Sequence, residues 1–384
     1  MTRAHGVIVL ATGGTGGHVF PAQALARVLM ARGYRLVLVT DRRGGNYGGL
    51  LGGLETHRIH AAGISGRGLT ARISAVFQLG LGLLQARRLL RRLRPGAVVG
   101  FGGYPAVPTM VAAAQLGLKT VIHEQNAVLG RANRVLAPRA LRIATAFDTT
   151  AMLREADRER AVRTGNPVRG EIVAAVRPFA APGAADPLEI LITGGSQGAA
   201  VFGELVPPAL VALPDTLRRR LRVTQQCRQE SIDAVRALYD EAGVEADLAP
   251  FFTDMPERLS RAHLVVCRSG ASTVAELAVA GRPAIMIPFP HAIDDHQREN
   301  AARLCDAGGG WLVPQDSVSA ENLSELVRSL LEAPQKLERA ARCAARFGVP
   351  DAADRLADLV CGLMDEHEAR QPADKSRDSE EVTA

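Results

Sequence analysis

Apolar residues in this chain come in short unbroken runs separated by glycine and by longer stretches of helical periodicity. "GVIVLA" (6–11) is followed by "TGGTGG". A stretch from Phe20 to Arg32 then carries apolar residues at helical spacing, Gly33 closes it, and "RLVLVT" (35–40) begins the next run. A run of four to eight apolar residues bounded by glycine fits a strand buried on both faces, and the longer periodic stretch fits a helix laid over it. Pro21 suits the first turn of that helix, where its missing N–H costs little. "GAVVGFGG" (96–103) and "KTVIHEQN" (119–126) repeat the strand signal. Such alternation predicts βαβ units and a parallel sheet.

The pattern breaks at "RPFAAPGAADP", Arg177 to Pro187, and then restarts. "LEILIT" (188–193) reads as a strand and "GGSQGA" (194–199) as a second glycine turn. "HLVVCRSGASTVAELAVAGRPAIMIP" (263–288) holds a strand, a helix and another strand. The expected architecture is α/β, with two doubly wound, Rossmann-like domains, each opened by a strand and a glycine turn. Residues 1–172 form the first domain and 173–349 the second. A helix at about 350–366 follows, and the polar end, 367–384, has too little apolar surface to fold.

Composition narrows the setting. The 384 residues are 47% hydrophobic but only 4% aromatic, so Leu, Val and Ala fill the cores. No apolar stretch reaches the ~18 residues of a membrane span. The first run is short and ends in glycines, which reads as a buried strand and not a signal peptide. Five scattered cysteines without a CxxC pair point to free thiols in a reducing cytoplasm. The net charge of +6 hides an asymmetry: residues 1–170 carry 24 Lys and Arg against 7 Asp and Glu, a balance of +17, and the remainder carries 22 against 33, a balance of −11. A basic half implies an anionic partner: nucleic acid, a phospholipid surface or a phosphorylated substrate.

Both glycine turns run from a strand into a helix, a geometry that aims backbone N–H groups and a helix N-terminus at an anion. Gly14-x-Gly16 puts Val19 where a dinucleotide fingerprint needs a third glycine, which argues against an NAD-dependent oxidoreductase, and no Lys-Ser/Thr follows either turn to make a Walker loop.

Seven segments then occur in order: "GGTGGHVFPA", "GFGGYPAVP", "HEQN", "GNPVR", "GGSQGA", "CRSGASTVAELAVAGRPAIMIPFP" and "DDHQRENA". Together they resemble the bacterial family that transfers N-acetylglucosamine (GlcNAc) from UDP-GlcNAc to undecaprenyl-pyrophosphoryl-muramoyl-pentapeptide, lipid I, in peptidoglycan synthesis. The resemblance runs from about residue 7 to 365. It implies a GT-B fold with a cleft between two domains, and a last helix that returns to the first. It also implies inverting chemistry at the acceptor's 4-hydroxyl, no cofactor, the donor held mainly by the second domain and lipid I by the first.

The resemblance also implies roles for residues. Glu276 meets the donor ribose, although Thr273-x-x-Glu276 also reads as a capping box. Ala271, Ser272, Thr273, Val274 and Ala275 line the nucleotide and its phosphates. Ser196 and the backbone of Thr15, Gly16 and Gly17 face a diphosphate, with a plain helix cap as the alternative for Ser196. Arg169 offers a planar fork to phosphate, or else is a solvated arginine beside the linker. Phe252 lies beside uracil, largely through backbone. Gln297 reads sugar hydroxyls. Asn126, at a strand's C-terminal edge, reaches the donor across the cleft or serves as a turn asparagine. His291, Asp294, Asp295 and His296 fit no common metal-ligand spacing, so no metal is expected.

Inverting transfer needs a base near neutral pKa, for which histidine is the natural type. His18 is the candidate. A binding role toward the acceptor pyrophosphate, and Glu124 as the base, remain its competitors.

From Ile64 to Arg94, apolar Ile73, Val76, Phe77, Leu79, Leu81, Leu83 and Leu84 are flanked by Arg67, Arg72, Arg87, Arg88, Arg91, Arg92 and Arg94. This is either a core helix with a basic end or a surface that docks on anionic lipid at the cytoplasmic face of the inner membrane. Docking is favoured, because it accounts for the basic half and suits a lipid acceptor. Nucleic acid is not expected, since no aromatic residues interleave with the arginines. A UDP-GlcNAc 2-epimerase would share fold and donor but needs no such surface, and a non-catalytic lipid binder would not need donor motifs in the second half.

Overall fold

The computed structural model describes residues 5–13, 16–41, 49–61, 69–195 and 198–368. Among the described residues thirteen strands form two sheets, parallel throughout. The first holds β1 (His5–Ala11), β2 (Tyr34–Asp41), β3 (Glu55–Ile59), β4 (Ala97–Gly100), β5 (Lys119–Glu124), β6 (Arg142–Thr145) and β7 (Ala161–Arg163), in the order β3-β2-β1-β4-β5-β6-β7. The second holds β8 (Leu188–Thr193), β9 (Leu221–Gln226), β10 (Glu245–Ala249), β11 (Leu264–Cys267), β12 (Ala284–Met286) and β13 (Gly310–Leu312), in the order β10-β9-β8-β11-β12-β13. The same winding therefore occurs twice. In each sheet the order reverses beside the opening strand, and ligands of open α/β sheets bind at that switch point.

The central strands β1, β4, β8 and β11 are largely apolar because both faces are covered, whereas the edge strands β3, β7 and β10 carry polar, exposed residues. In the first sheet Val9, Ala11, Val37, Val39, Val98 and Ile122 enter one core, and their neighbours Ile8, Leu10, Leu38, Val99 and Val121 enter the other. This two-residue alternation is what a strand between two helical layers must show.

The principal helices are α1 (Gly16–Ala31), α2 (Leu69–Leu93), α3 (Gly103–Gln115), α4 (Ala200–Val211), α5 (Ala271–Ala280), α6 (His296–Asp306) and α7 (Ala352–Glu368). Helix α7 lies on the first sheet: Leu356, Ala357, Val360 and Leu363 pack with Ile8, Leu10, Ala97 and Val99, and Arg32 pairs with Asp358 at 2.6 Å. It ends at Glu368, two residues beyond the expected end, and residues 369–384 lie outside the described ones.

Helix α1 begins at Gly16, four residues before the expected start. Pro21 is thus in its second turn, where the only carbonyl it leaves unserved is that of Gly17 in the first turn. His18 stands inside the first turn and not before it.

Candidate functional site

The first domain builds its side of the cleft from three strand ends. The β1 turn passes so close to α3 that a Cβ on Gly13 would lie 2.7 Å from Pro105 Cγ. After β4, Gly102 and Gly103 take φ values of 82° and 72°, which only glycine adopts without strain, and the His18 ring rests against them. Thr12 donates its hydroxyl to the His18 carbonyl at 3.1 Å. After β5, Gln125 Oε1 lies 3.1 Å from His18 Nδ1.

The "HEQN" segment is a buried polar network. Glu124 is 1% exposed, yet both its oxygens are filled: Oε1 accepts from the Asn126 N–H at 3.0 Å and Asn126 Nδ2 at 3.1 Å, and Oε2 from the Gly130 N–H and Asn133 Nδ2, both at 2.8 Å. A carboxylate so engaged shapes the loop and is poorly placed to collect a proton. His123, fully buried, faces the Gly165 carbonyl with Nε2 at 3.0 Å. Burial pushes its pKa down to about 4, so it is neutral at physiological pH.

The second domain meets this wall through α5 and α6. Gly270 caps α5 with backbone only, so Thr273 is the third helical residue and Glu276 lies in the second turn. The capping box that was the alternative reading of Thr273 and Glu276 is therefore absent. Glu276 instead accepts from Arg169 Nε at 2.9 Å, and the Arg169 guanidinium stacks over Phe20 of α1 at 5.0 Å. One chain of contacts thus joins α1, the segment leaving the first domain, and α5. The hydroxyls of Ser269 and Ser272, beside this helix start, are buried without a partner.

Asn126 joins the domains. Its Oδ1 accepts from Asn300 Nδ2 at 3.1 Å, while Asn300 Oδ1 accepts from the Ala127 N–H at 2.8 Å and its Nδ2 also donates to the Ser269 carbonyl at 3.2 Å. Nearby, Asp294 is bound by Arg134 at 2.6 Å and Arg131 at 3.4 Å. Burial alone would raise its pKa, but those hydrogen bonds hold it below the ordinary range. Gln297 accepts the Phe289 N–H on Oε1 at 2.9 Å, which leaves its amide nitrogen as the group suited to a hydroxyl. Buried Arg268 braces the same loop, donating to the carbonyls of Ile287 and Pro288 at 3.0 and 2.9 Å.

Phe252 is 5% exposed, its ring covered by the Arg258 guanidinium 4.1 Å from the ring centre. Gly16 and Gly17 open α1, and Ala271 to Ala275 open α5. Thr15 and Ser196 lie outside the described residues, and between Gly198 and α4 only Ala199 intervenes. Phe20, Gln125 and Asn300 were not foreseen as site residues, although all three sit inside the "GGTGGHVFPA", "HEQN" and "DDHQRENA" segments.

On α2 a Cβ at Gly82 would lie 1.8 Å from the His60 carbonyl oxygen, and Gln85 Oε1 accepts from the His60 N–H at 2.9 Å. That contact fixes which face turns outward. Val76, Phe77 and Leu84 are exposed by 61%, 72% and 60%, and Arg88, Arg91 and Arg92 follow as exposed residues. Residues 62–68, with Arg67, lie outside the described ones, as do the side chains of Arg72 and Ile73.

Comparison with known proteins matches both halves to one family. Residues 8–145 fit the glycosyltransferase family 28 N-terminal domain and 189–356 its C-terminal domain. The UDP-N-acetylglucosamine–N-acetylmuramyl-(pentapeptide) pyrophosphoryl-undecaprenol N-acetylglucosamine transferase of Paramagnetospirillum magneticum is 55% identical over 359 residues, 93% of this chain and 97% of the relative. The protein of the same name from Rhodospirillum rubrum is 56% identical over 366 residues, 95% and 94% of the two chains. The crystal structure of Acinetobacter baumannii MurG matches with a TM-score of 0.77 at 33% identity, covering 93% of this chain and all of that one.

Proposed function

This chain belongs to glycosyltransferase family 28, and we propose how its GT-B cleft divides the work. The enzyme transfers GlcNAc from UDP-GlcNAc to lipid I, giving lipid II and UDP.

The acceptor's 4-hydroxyl oxygen bonds to the anomeric carbon on the face opposite UDP. The bond from that carbon to the β-phosphate oxygen breaks, the configuration inverts, and the electron pair leaves on UDP. His18 takes the hydroxyl proton, a role worth about 10²–10⁴-fold in rate. The observation that carries this reading is the chain Phe20–Arg169–Glu276, which holds the first turns of α1, and with them His18, against the helix whose start suits the donor. Glu124, both of whose oxygens are occupied by four donors in the segment that follows it, is the lesser candidate.

Charge building on UDP is met by the N-terminus of α5, by Arg169, by Gly16 and Gly17 at the start of α1, and by Ser196. Helix-end contacts contribute ~0.3–1 kcal/mol each, up to ~2 when partly buried. Arg169 uses only Nε on Glu276, so its terminal nitrogens suit the diphosphate, and Glu276 Oε2 suits the ribose. The Phe252 backbone faces uracil, and Gln297 and Asn126 take sugar hydroxyls.

The acceptor's lipid implies where the enzyme works. No helix among the described residues is long and apolar enough to cross a membrane. The outward Val76, Phe77 and Leu84, with arginines continuing the same helix face, support peripheral docking on anionic lipid at the cytoplasmic surface.

Incubation with UDP-GlcNAc and a short-chain lipid I analogue tests the function. UDP should appear one for one with a β-linked disaccharide and only when acceptor is present. Acceptor-independent UDP, or none at all, would overturn it.

A further inference from the structure

Gln125 is the side chain that meets the His18 ring at Nδ1. It is 1% exposed, and the orientation of its amide is determined by its surroundings. Nε2 lies 3.0 Å from the Phe101 carbonyl and 3.1 Å from the His123 carbonyl. Carbonyls only accept, so the NH₂ end must face them, and the oxygen end must face His18 Nδ1.

The same logic runs through His123. Its Nε2 faces the Gly165 carbonyl, so that nitrogen carries the proton, and the bare Nδ1 of neutral His123, 3.0 Å from Gln125 Nε2, is a third acceptor around the amide's two hydrogens, one of which is shared. Gly165 itself is fixed: its φ is 83°, and a Cβ there would lie 2.7 Å from Val349 Cβ. Gln125 Oε1 is therefore a pure acceptor in a fixed place, and a nitrogen 3.1 Å from it must donate.

We infer that Gln125 is a positioning residue that holds neutral His18 as its Nδ1–H tautomer, leaving the lone pair on Nε2 for the acceptor's proton, and that His123 and the Gly165 carbonyl keep Gln125 oriented. The inference rests on the reading of His18 as the base and specifies the form in which it acts. A neutral amide does here what a carboxylate does in a serine-protease triad: it selects tautomer and orientation without itself titrating.

The test is long-range ¹H–¹⁵N spectroscopy of the full chain labelled at histidine nitrogen, at pH 8, with His18 assigned by its loss in His18→Gln. The expected result is a protonated Nδ1 and a bare Nε2 in the unaltered chain. In Gln125→Met that preference should disappear, and kcat should fall about tenfold or more while KM for UDP-GlcNAc changes less than about twofold. An Nε2–H His18 in the unaltered chain overturns the inference even if Gln125→Met fails to fold, and so does a Gln125→Met chain with unchanged tautomer and turnover. Normal turnover in His18→Ala would instead remove the base assignment and leave the measured tautomer standing, so the two failures can be told apart.

Discussion

Arg169 and Glu276 meet at 2.9 Å between the segment leaving the first domain and helix α5 of the second, with side chains only 25% and 14% exposed. Both residues have a proposed place at the donor, so their pairing ties donor affinity to domain contact. Hydrogen bonds involving a charged group are worth about 1.5–3 kcal/mol. Glu276→Ala should therefore weaken UDP binding by about tenfold to a hundredfold in titration calorimetry. A variant with lowered stability but unchanged UDP affinity would make Glu276 purely structural.

Glu124 is the rival base, and its four hydrogen bonds predict a different phenotype. Glu124→Gln turns an NH₂ toward buried donors and leaves some of them unpaired, at about 1–3 kcal/mol for each group. Urea denaturation should show a loss of that order. A stable Glu124→Gln chain with abolished turnover would restore Glu124 as the base.

His123 predicts a pH dependence. Its pKa falls from 6.5 to about 4 on folding, so between those values the unfolded chain binds the proton and the native chain does not. Its contribution to stability is present above about pH 6.5 and is lost as pH falls toward 4, with a slope of up to about 1.4 kcal/mol per pH unit. Denaturation at pH 5 and pH 7.5 measures this slope, and His123→Phe should flatten it even if the variant is less stable at both values.

The surface of α2 predicts lipid binding. Burying Phe77 in a lipid interface is worth about 1.5–3 kcal/mol, and each arginine near an anionic surface adds about 1 kcal/mol. Phe77→Ser, or Arg88, Arg91 and Arg92 together changed to Ser, should reduce flotation with phosphatidylglycerol vesicles, and added salt should weaken the unaltered chain's binding. Arg87 is left in place because it bonds Gln115 at 3.2 Å. Flotation unchanged in both variants would contradict docking.

Much of this architecture was legible in the sequence because buried parallel strands must be apolar on both faces. "GVIVLA" and "LEILIT" announce the opening strand of each sheet, and the glycine turns after them announce the switch points. The site was legible residue by residue only where a motif carried it. The capping box at Thr273 and Glu276 failed because Gly270 starts α5 earlier, and no local pattern shows that Arg169, 107 residues away in sequence, is the real partner of Glu276. Gln125 and Asn300 escaped for the same reason. Their partners, His18, Phe101, Ala127 and Ser269, come together only when the strand ends and the two domains do.

The division of labour in the cleft depends on His18 taking the acceptor's proton. Single-turnover transfer to a lipid I analogue by His18→Ala, measured beside its UDP affinity, decides the point. The expected result is a rate loss of about 10²-fold or more with UDP affinity within about twofold of the unaltered chain. Near-normal transfer, or a loss explained entirely by weaker UDP binding, would contradict it.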